Sequence, residues 1–448
     1  MSGTSFRSRF YRPVSSLSYG LDHAIWGLNP FGYHLTDLVL HATVSALVFL
    51  VVRALIHDGG LVTGWLGAVL FTVHPALFET VPAISRRHDV LAALFMLLSL
   101  WTFLERRRAA GRAPLRVLSV LFYALALGAK ETAIIVPLLV FAHLLIFSPP
   151  TWRRAVRVRY AGTGSLPFWM VSVVELAWRT VVLGGVGGYA PTPKLPTEAF
   201  RLVRSGAGVG TSYLVDLLNP IGLADVSFGV ASSLALLFGM IVAVGVVFPG
   251  RSRDETSGGI GRLMAFLLIW LALPFGVYLV TQRFAHRLMY IPVIPFSAAC
   301  AVVLVRGFAA MRDRNAPAAL AFPVMVALGL ALLAQSPLLT HYGAWQEQGR
   351  LASLFLHRLS SVARAVPAGA VIHVRGLPPG IFFVSPERRL GGLADYTLKS
   401  WLDLTEPATR IEIVVESTSP LRRAAPKDLQ LDVTSTDGFV VVVVSLFD

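Results

Sequence analysis

The chain has 448 residues, of which 55% are hydrophobic and only 14% charged, with a mean hydropathy of +0.67. A soluble globular domain carries about 25% charged residues, so this composition disfavours a large soluble α/β protein and points to a polytopic membrane protein. The formal net charge is +14, but its cations lie mostly in short loops between apolar segments, which makes them a topology signal; no nucleic-acid motif accompanies them, and nucleic acid is not an expected partner.

Residues 1–34 contain Arg7, Arg9 and Arg12 and no apolar core, so no cleavable signal peptide is expected. Ten apolar segments then approach the length that crosses a bilayer: roughly 35–56, 61–80, 89–104, 114–129, 132–148, 167–184, 230–249, 263–281, 288–305 and 317–337. Four alternate connections are strongly basic, at 105–116, 151–160, 250–262 and 306–315, and read as cytoplasmic. The other set, at 81–88, Lys130–Glu131, 185–229 and 282–287, falls on the outer face with both termini. A basic amino-terminal tail with nothing to export it asks for one further helix before it. The stretch 185–229 opens with a Gly- and Pro-rich loop and continues as an interfacial amphipathic helix or a re-entrant segment. Cys300 lies inside an apolar run, which suggests neither a disulfide nor a metal site.

After residue 337 the pattern changes. "WQEQGRLASLFLHRLSSVARAVP" has helical periodicity. "AVIHVRG", "GIFFVS", "RIEIVVES", "LQLDVTS" and "FVVVVVSLF" are short β-type runs, and "GGLADY" at 391–396 reads as a surface turn. The expected architecture is mostly α: an outer-face segment at 1–34, a transmembrane bundle of about ten helices at 35–340, and a small α/β domain at 341–448 on the outer face.

One stretch resists the apolar background. Residues 71–95 carry His74, Glu79, Arg86, Arg87, His88 and Asp89 at the outer end of the second span and the start of the third. Ionisable groups at such depth are costly unless they face a cavity or one another. They fit either a clamp between helix ends or a ligand site, with Asp89 also placed to cap a helix. His34 and Asp37, Lys130 and Glu131, and Arg283, His286, Arg287 and Tyr290 fall on the same side. Their chemistry suits an anionic, lipid-borne substrate: cations grip a phosphate held at headgroup level, and a carboxylate takes a proton from an acceptor hydroxyl. His with Asp or Glu also makes a divalent metal conceivable, but no ligand spacing demands one. Residue types alone leave a transferase, a flippase and a polymerase open.

The strings "YRPVSSLSYGLDHAIWGLNPFGYHLTDLVLH" (11–41), "LFTVHPALFETVPAISRRHDVLAALFMLLSL" (70–100), "ALGAKETAIIVPLL" (126–139) and "RLMYIPVIPF" (287–296) come in one order. Over about residues 10–345 the chain resembles the membrane half of the transmembrane O-mannosyltransferases that carry tetratricopeptide repeats, and their repeat-free bacterial relatives. These belong to the GT-C superfamily of glycosyltransferases. The resemblance implies a multi-helix transferase with a polyprenyl-phosphate-linked sugar as donor, the sugar being mannose in the named family, and a protein or glycan acceptor. The family's His-Pro, Glu and Arg-x-Asp positions fall on His74, Pro75, Glu79, Arg87 and Asp89. Its Lys-Glu pair falls on Lys130 and Glu131, and its later string on Arg287, Tyr290 and Pro292. Arg87, Lys130 and Arg287 are expected to hold donor phosphate, with Arg283, His34 and His74 beside them, and Glu79 to contact sugar or acceptor.

Family members begin with a spanning helix followed by an acidic residue, the expected base. This chain begins after both, which implies an incomplete amino terminus. Asp22 lies in the right loop but in the wrong string, so the resemblance does not carry the base role onto it. The candidate catalytic carboxylates are Glu79, Asp89 and Asp22. Without a base, the chain would bind lipid-linked sugar without transferring it; a lipid-linked sugar transporter is a further alternative. The repeat-free tail and the Arg- and Ala-rich composition give a bacterial inner membrane, with the site on the periplasmic side, as the expected location.

Overall fold

A computed structural model describes residues 10–56, 60–78, 80–108, 113–185, 217, 255–281, 286–313, 318–367, 371–375, 383–385, 388–389, 395–406, 408, 411–416, 428–436 and 439–447. It divides into two compact units, Ser8–Ser336 and Pro337–Asp448 with Met1–Arg7. The expected span at 230–249, the interfacial segment at 185–229 apart from Gly185 and Leu217, and the residues Glu79 and Arg283 lie outside the described residues.

The first unit is helical. Its helices are α1 (Pro13–Trp26), α2 (Pro30–Leu55), α3 (Gly60–Thr72), α4 (Arg87–Arg108), α5 (Ala113–Ala129), α6 (Val136–Ile146), α7 (Arg154–Leu183), α8 (Glu255–Thr281) and α9 (Tyr290–Asp313). Among the described residues, five stretches are long and apolar enough to cross a membrane: Pro30–Leu55, Ile84–Glu105, Arg154–Leu183, Gly259–Tyr278 and Tyr290–Asp313. Shorter apolar helices occupy Gly60–Thr72, Pro114–Ala129, Glu131–Ile146 and Phe322–Ala331.

Local chemistry sets the helix ends. Asn29 caps α2, accepting a hydrogen bond from Phe31 N at 3.1 Å, and Pro30 supplies a first helical residue that needs no donor. The expected span at 61–80 ends as an α-helix at Thr72, because Pro75 holds His74 extended. His74 then caps a 3₁₀ turn at Pro75–Leu77. The basic string at 151–160 is not a connecting loop as expected: from Arg154 onward it forms the first turns of α7. Nor is the amino-terminal segment irregular, since 13–26 forms α1.

In lipid the helices gain little from apolar contact with one another, so packing and shared hydrogen bonds hold them together. The Ser99 and Ser119 hydroxyls each donate to the other's carbonyl at 2.8 Å, joining α4 to α5. The hydroxyls of Tyr123 and Ser172 meet at 2.6 Å and join α5 to α7. Val48, Phe71, Leu97, Leu127, Val136 and Val293 fill the core between them.

The second unit holds the strands β1 (Val371–Arg375), β2 (Phe383–Ser385), β3 (Arg388–Arg389), β4 (Glu412–Glu416), β5 (Asp428–Thr436) and β6 (Phe439–Phe447). The four-stranded sheet has the order β4-β1-β6-β5, with β1 parallel to both neighbours and β5 antiparallel to β6. The Val-rich run at 439–447 suits a strand paired on both sides. The helix α10 (Ala318–Ala365) carries residues of both units. Its Phe355, Leu359 and Ala363 share a core with Ile372, Val374 and Leu398. Leu398 belongs to α11 (Asp395–Thr405), which forms where a turn was expected, with Asp395 and Tyr396 as its first residues.

Candidate functional site

Arg87 stands in the first turn of α4 and has no exposed surface. Its Nε donates to Asp37 Oδ1 at 2.5 Å, and its Nη1 makes an ion pair with Asp22 Oδ2 at 2.6 Å. Nη1 also donates to Ser18 Oγ at 3.2 Å, and Nη2 donates to the Tyr33 carbonyl at 3.0 Å. The Tyr19 ring lies 4.9 Å from the guanidinium carbon. Thr36 Oγ1 donates to the other oxygen of Asp22 at 2.9 Å. Three helices, α1, α2 and α4, are thus tied at one residue. Both carboxylates are at most 6% exposed, so each would be a buried charge without Arg87.

A second group lies where α5 gives way to the 3₁₀ turn Glu131–Ile135. The Lys130 ammonium pairs with Asp89 Oδ1, and His88 Nε2 lies 3.3 Å from Asp89 Oδ2. Asp89 and Lys130 are both buried. The next residue faces the other way: Glu131 accepts from Arg12 Nη2 at 2.8 Å and from Arg179 Nη2 at 2.7 Å. Sequence reasoning missed Arg12 and Arg179 as members of this cluster. The available signal was Glu175 and Arg179, an ionisable pair four residues apart inside an apolar span.

The remaining candidates are placed as follows. His74 Nδ1 accepts from Ala76 N at 3.2 Å, and the ring also hydrogen-bonds the Leu217 backbone. Burial pushes the His74 pKa down to about 4, so it is neutral at pH 7. Tyr290 is buried, its hydroxyl 2.8 Å from His41 Nδ1, at the α2–α9 contact. Tyr19 donates to the Ile84 carbonyl at 2.6 Å, and burial raises its phenol to about 12. His34 is exposed on α2, within electrostatic reach of Arg87. Arg287 lies in the 3₁₀ turn His286–Met289.

Arg87, expected to grip a phosphate, is therefore taken up by two carboxylates, and Asp22 lies within α1 rather than in a loop. Asp89 and Asp22 both serve cations already present. The charged groups gather where α1, α2, α4, α5 and α7 meet. The basic ends of α4, near Arg108, and of α7, near Arg154, are the far ends of those helices. Among the described residues, no three His, Cys, Asp or Glu side chains group as a metal site. A small cavity among them is apolar, between Val51, Leu100, Phe103, His143 and Trp270, and belongs to the core.

No protein-family model matches the chain. It is 42% identical over 101 residues to Protein O-mannosyl-transferase TMTC2 of Mus musculus, covering 22% of this chain and 12% of that protein. To Protein O-mannosyl-transferase TMTC1 of Homo sapiens it is 34% identical over 143 residues, covering 30% and 16%. The similarity to Protein O-mannosyl-transferase F38B6.6 of Caenorhabditis elegans is longer: 22% identity over 386 residues, 81% of this chain and 50% of that protein. The chain thus spans half or less of the length of these relatives. This similarity to proteins named O-mannosyl-transferases agrees with the resemblance carried by the sequence strings. It also corrects the expected location: these relatives are animal proteins, which overturns the bacterial inner membrane drawn from composition and from the repeat-free tail.

Proposed function

We propose that this homologue of the O-mannosyl-transferases is a membrane glycosyltransferase. It takes a sugar, mannose by analogy with its relatives' names, from a polyprenyl-phosphate donor. The observation that carries this reading is the gathering of ion pairs, buried or partly buried, at Arg87, Lys130 and Glu131 in an apolar helical unit. Such charge in a membrane protein marks a site for polar or charged substrate.

In the transfer, the acceptor hydroxyl oxygen bonds to the sugar's anomeric carbon while the bond from that carbon to the phosphate oxygen breaks. The phosphate leaves with the electron pair, and the hydroxyl proton passes to a carboxylate. Cations stabilise the departing phosphate, and Arg287 is assigned that part, since Lys130 is closed in against Asp89. Arg87 acts as a positioning residue that fixes the ends of α1, α2 and α4. Glu79 is the proposed proton acceptor, since Asp22 and Asp89 already neutralise Arg87 and Lys130. The same engagement of Asp22 and Asp89 favours a second reading, a relative that binds lipid-linked sugar without transferring it. The acceptor is a protein or glycan hydroxyl.

The test is an assay of the full chain in lipid nanodiscs with radiolabelled polyprenyl-phosphate mannose and a hydroxyl acceptor panel. Release of polyprenyl phosphate matched by labelled acceptor, and lost in Glu79→Gln, is expected. Donor binding without turnover across several sugars would instead establish the second reading.

A further inference from the structure

The three ion-pair groups differ in access. At Arg87 the side chains of Arg87, Asp22 and Asp37 are 0%, 6% and 2% exposed. At Lys130 the values are 6% for Lys130 and 2% for Asp89. Glu131 stands apart at 30%, with Arg12 at 17% and Arg179 at 5%. The first two groups are closed; the third reaches the surface.

An aromatic pair sits next to both arginines in the chain. Trp178, next to Arg179, is exposed and donates from Nε1 to the Tyr11 hydroxyl at 3.0 Å. Val174 and Val181, on the face of α7 opposite Arg179, are 69% and 77% exposed. An aromatic pair with a polar tip beside exposed valines on a spanning helix is the composition of a headgroup-level surface.

Two guanidinium groups, from the start of α1 and the end of α7, converge on the Glu131 carboxylate, and Arg179 also has Glu175 at 3.8 Å. Arg12 donates through Nη2 at 2.8 Å and Nε at 3.3 Å, and Arg179 through Nη2 at 2.7 Å. A carboxylate brings one negative charge and two oxygens to this pair. A phosphate monoester brings three terminal oxygens, a better match to two planar forks.

We infer that Arg12 and Arg179 form a binding site for a lipid-borne phosphate monoester, and that Glu131 occupies it as an internal competitor. Binding is an exchange of anions: Glu131 swings out toward the surface it already touches, and the phosphate takes its place between the arginines. The choice of a polyprenyl phosphate as natural ligand rests on the transferase reading; the exchange itself does not require transfer.

The test uses the full chain in phosphatidylcholine nanodiscs, titrated with farnesyl phosphate and followed by native mass spectrometry. Arg12→Gln and Arg179→Gln should each weaken binding at least tenfold. Glu131→Gln, which removes the competitor, should tighten it about tenfold, and Glu131→Asp should tighten it less. A gain in affinity is a result that misfolding cannot produce. Farnesol should not bind at this site, and inorganic phosphate should not displace the lipid. Displacement by phosphatidic acid would mean that the site reads the phosphate alone; failure to displace would mean that it also reads the prenyl chain. Displacement by inorganic phosphate would overturn the lipid-borne ligand. Unchanged affinity in both arginine variants, or no tightening in either Glu131 variant, would overturn the site. Binding with these responses but no sugar transfer would overturn the transferase reading and leave the site standing.

Discussion

Arg87 shows how one residue can be required without touching substrate. Its guanidinium neutralises Asp37 and Asp22 at once, and no surface of it is exposed. Arg87→Ala would strand two buried carboxylates, and loss of one partner of a buried pair costs about 3–5 kcal/mol. The expected result is a lower unfolding midpoint in detergent and loss of any donor binding with it. Arg87→Lys keeps the charge but not the fork, and should recover part of the stability only. His74 gives the pH dependence. Its folded pKa of about 4 lies below the ordinary 6.5, so the unfolded chain binds the extra proton between those values. Stability from this residue is full above pH 6.5 and falls as pH drops toward 4, by ~3 kcal/mol at about 1.4 kcal/mol per unit. His74→Asn keeps an oxygen to cap the turn but does not titrate; its unfolding midpoint should fall less than that of the parent chain between pH 6.5 and 4. The ionisable residues were legible in the sequence as misfits in an apolar chain. Their partners were not, because Arg87 meets residues 50 and 69 positions away and Arg12 meets one 119 positions away.

At the level of elements, α1 depends on small residues at its contacts. A Cβ on Gly128 of α5 would come within 2.8 Å of Val14 Cγ2, and one on Gly32 of α2 would land within the Trp26 ring. Gly32→Ala and Gly128→Ala should therefore push α1 from its seat. Overpacking of this kind costs about 1–3 kcal/mol. Because α1 carries Asp22 and follows Arg12, both variants should also weaken the Arg87 and Glu131 pairs. Faster proteolysis within 10–26, with the rest of the chain intact, is the measurement. Helix α1 was not foreseen, since Leu17, Leu21 and Ile25 form a short stripe among serines rather than an apolar run. Spans such as α2, α8 and α9 were legible from hydropathy alone. Their ends were less so: hydropathy does not register that Pro75 stops α3 or that arginines open α7.

On the scale of the whole membrane unit, charge and length give the bundle a direction. The helix α7 has 30 residues, about 45 Å at 1.5 Å per residue, against a hydrocarbon core of about 30 Å. It can therefore hold Arg153 and Arg154 in one headgroup layer while Arg179 stands near the other. Basic connections favour the cytoplasmic side, so the end bearing Arg87, Lys130 and Glu131 should face away from it. The protein offers a clean way to check this, because its one cysteine, Cys300, is buried and should stay silent toward a membrane-impermeant maleimide. Gly20 has open space around its Cβ position, and Arg154 and Asp313 are exposed, so a cysteine at any of the three should be tolerated. In sealed vesicles of native orientation, Gly20→Cys should label from the non-cytoplasmic side, and Arg154→Cys and Asp313→Cys from the cytoplasmic side. The reverse pattern would turn the bundle over while keeping its geometry. Labelling of all three from one side would break the polarity itself, and with it the argument that the charge cluster and the basic helix ends lie across the membrane from each other.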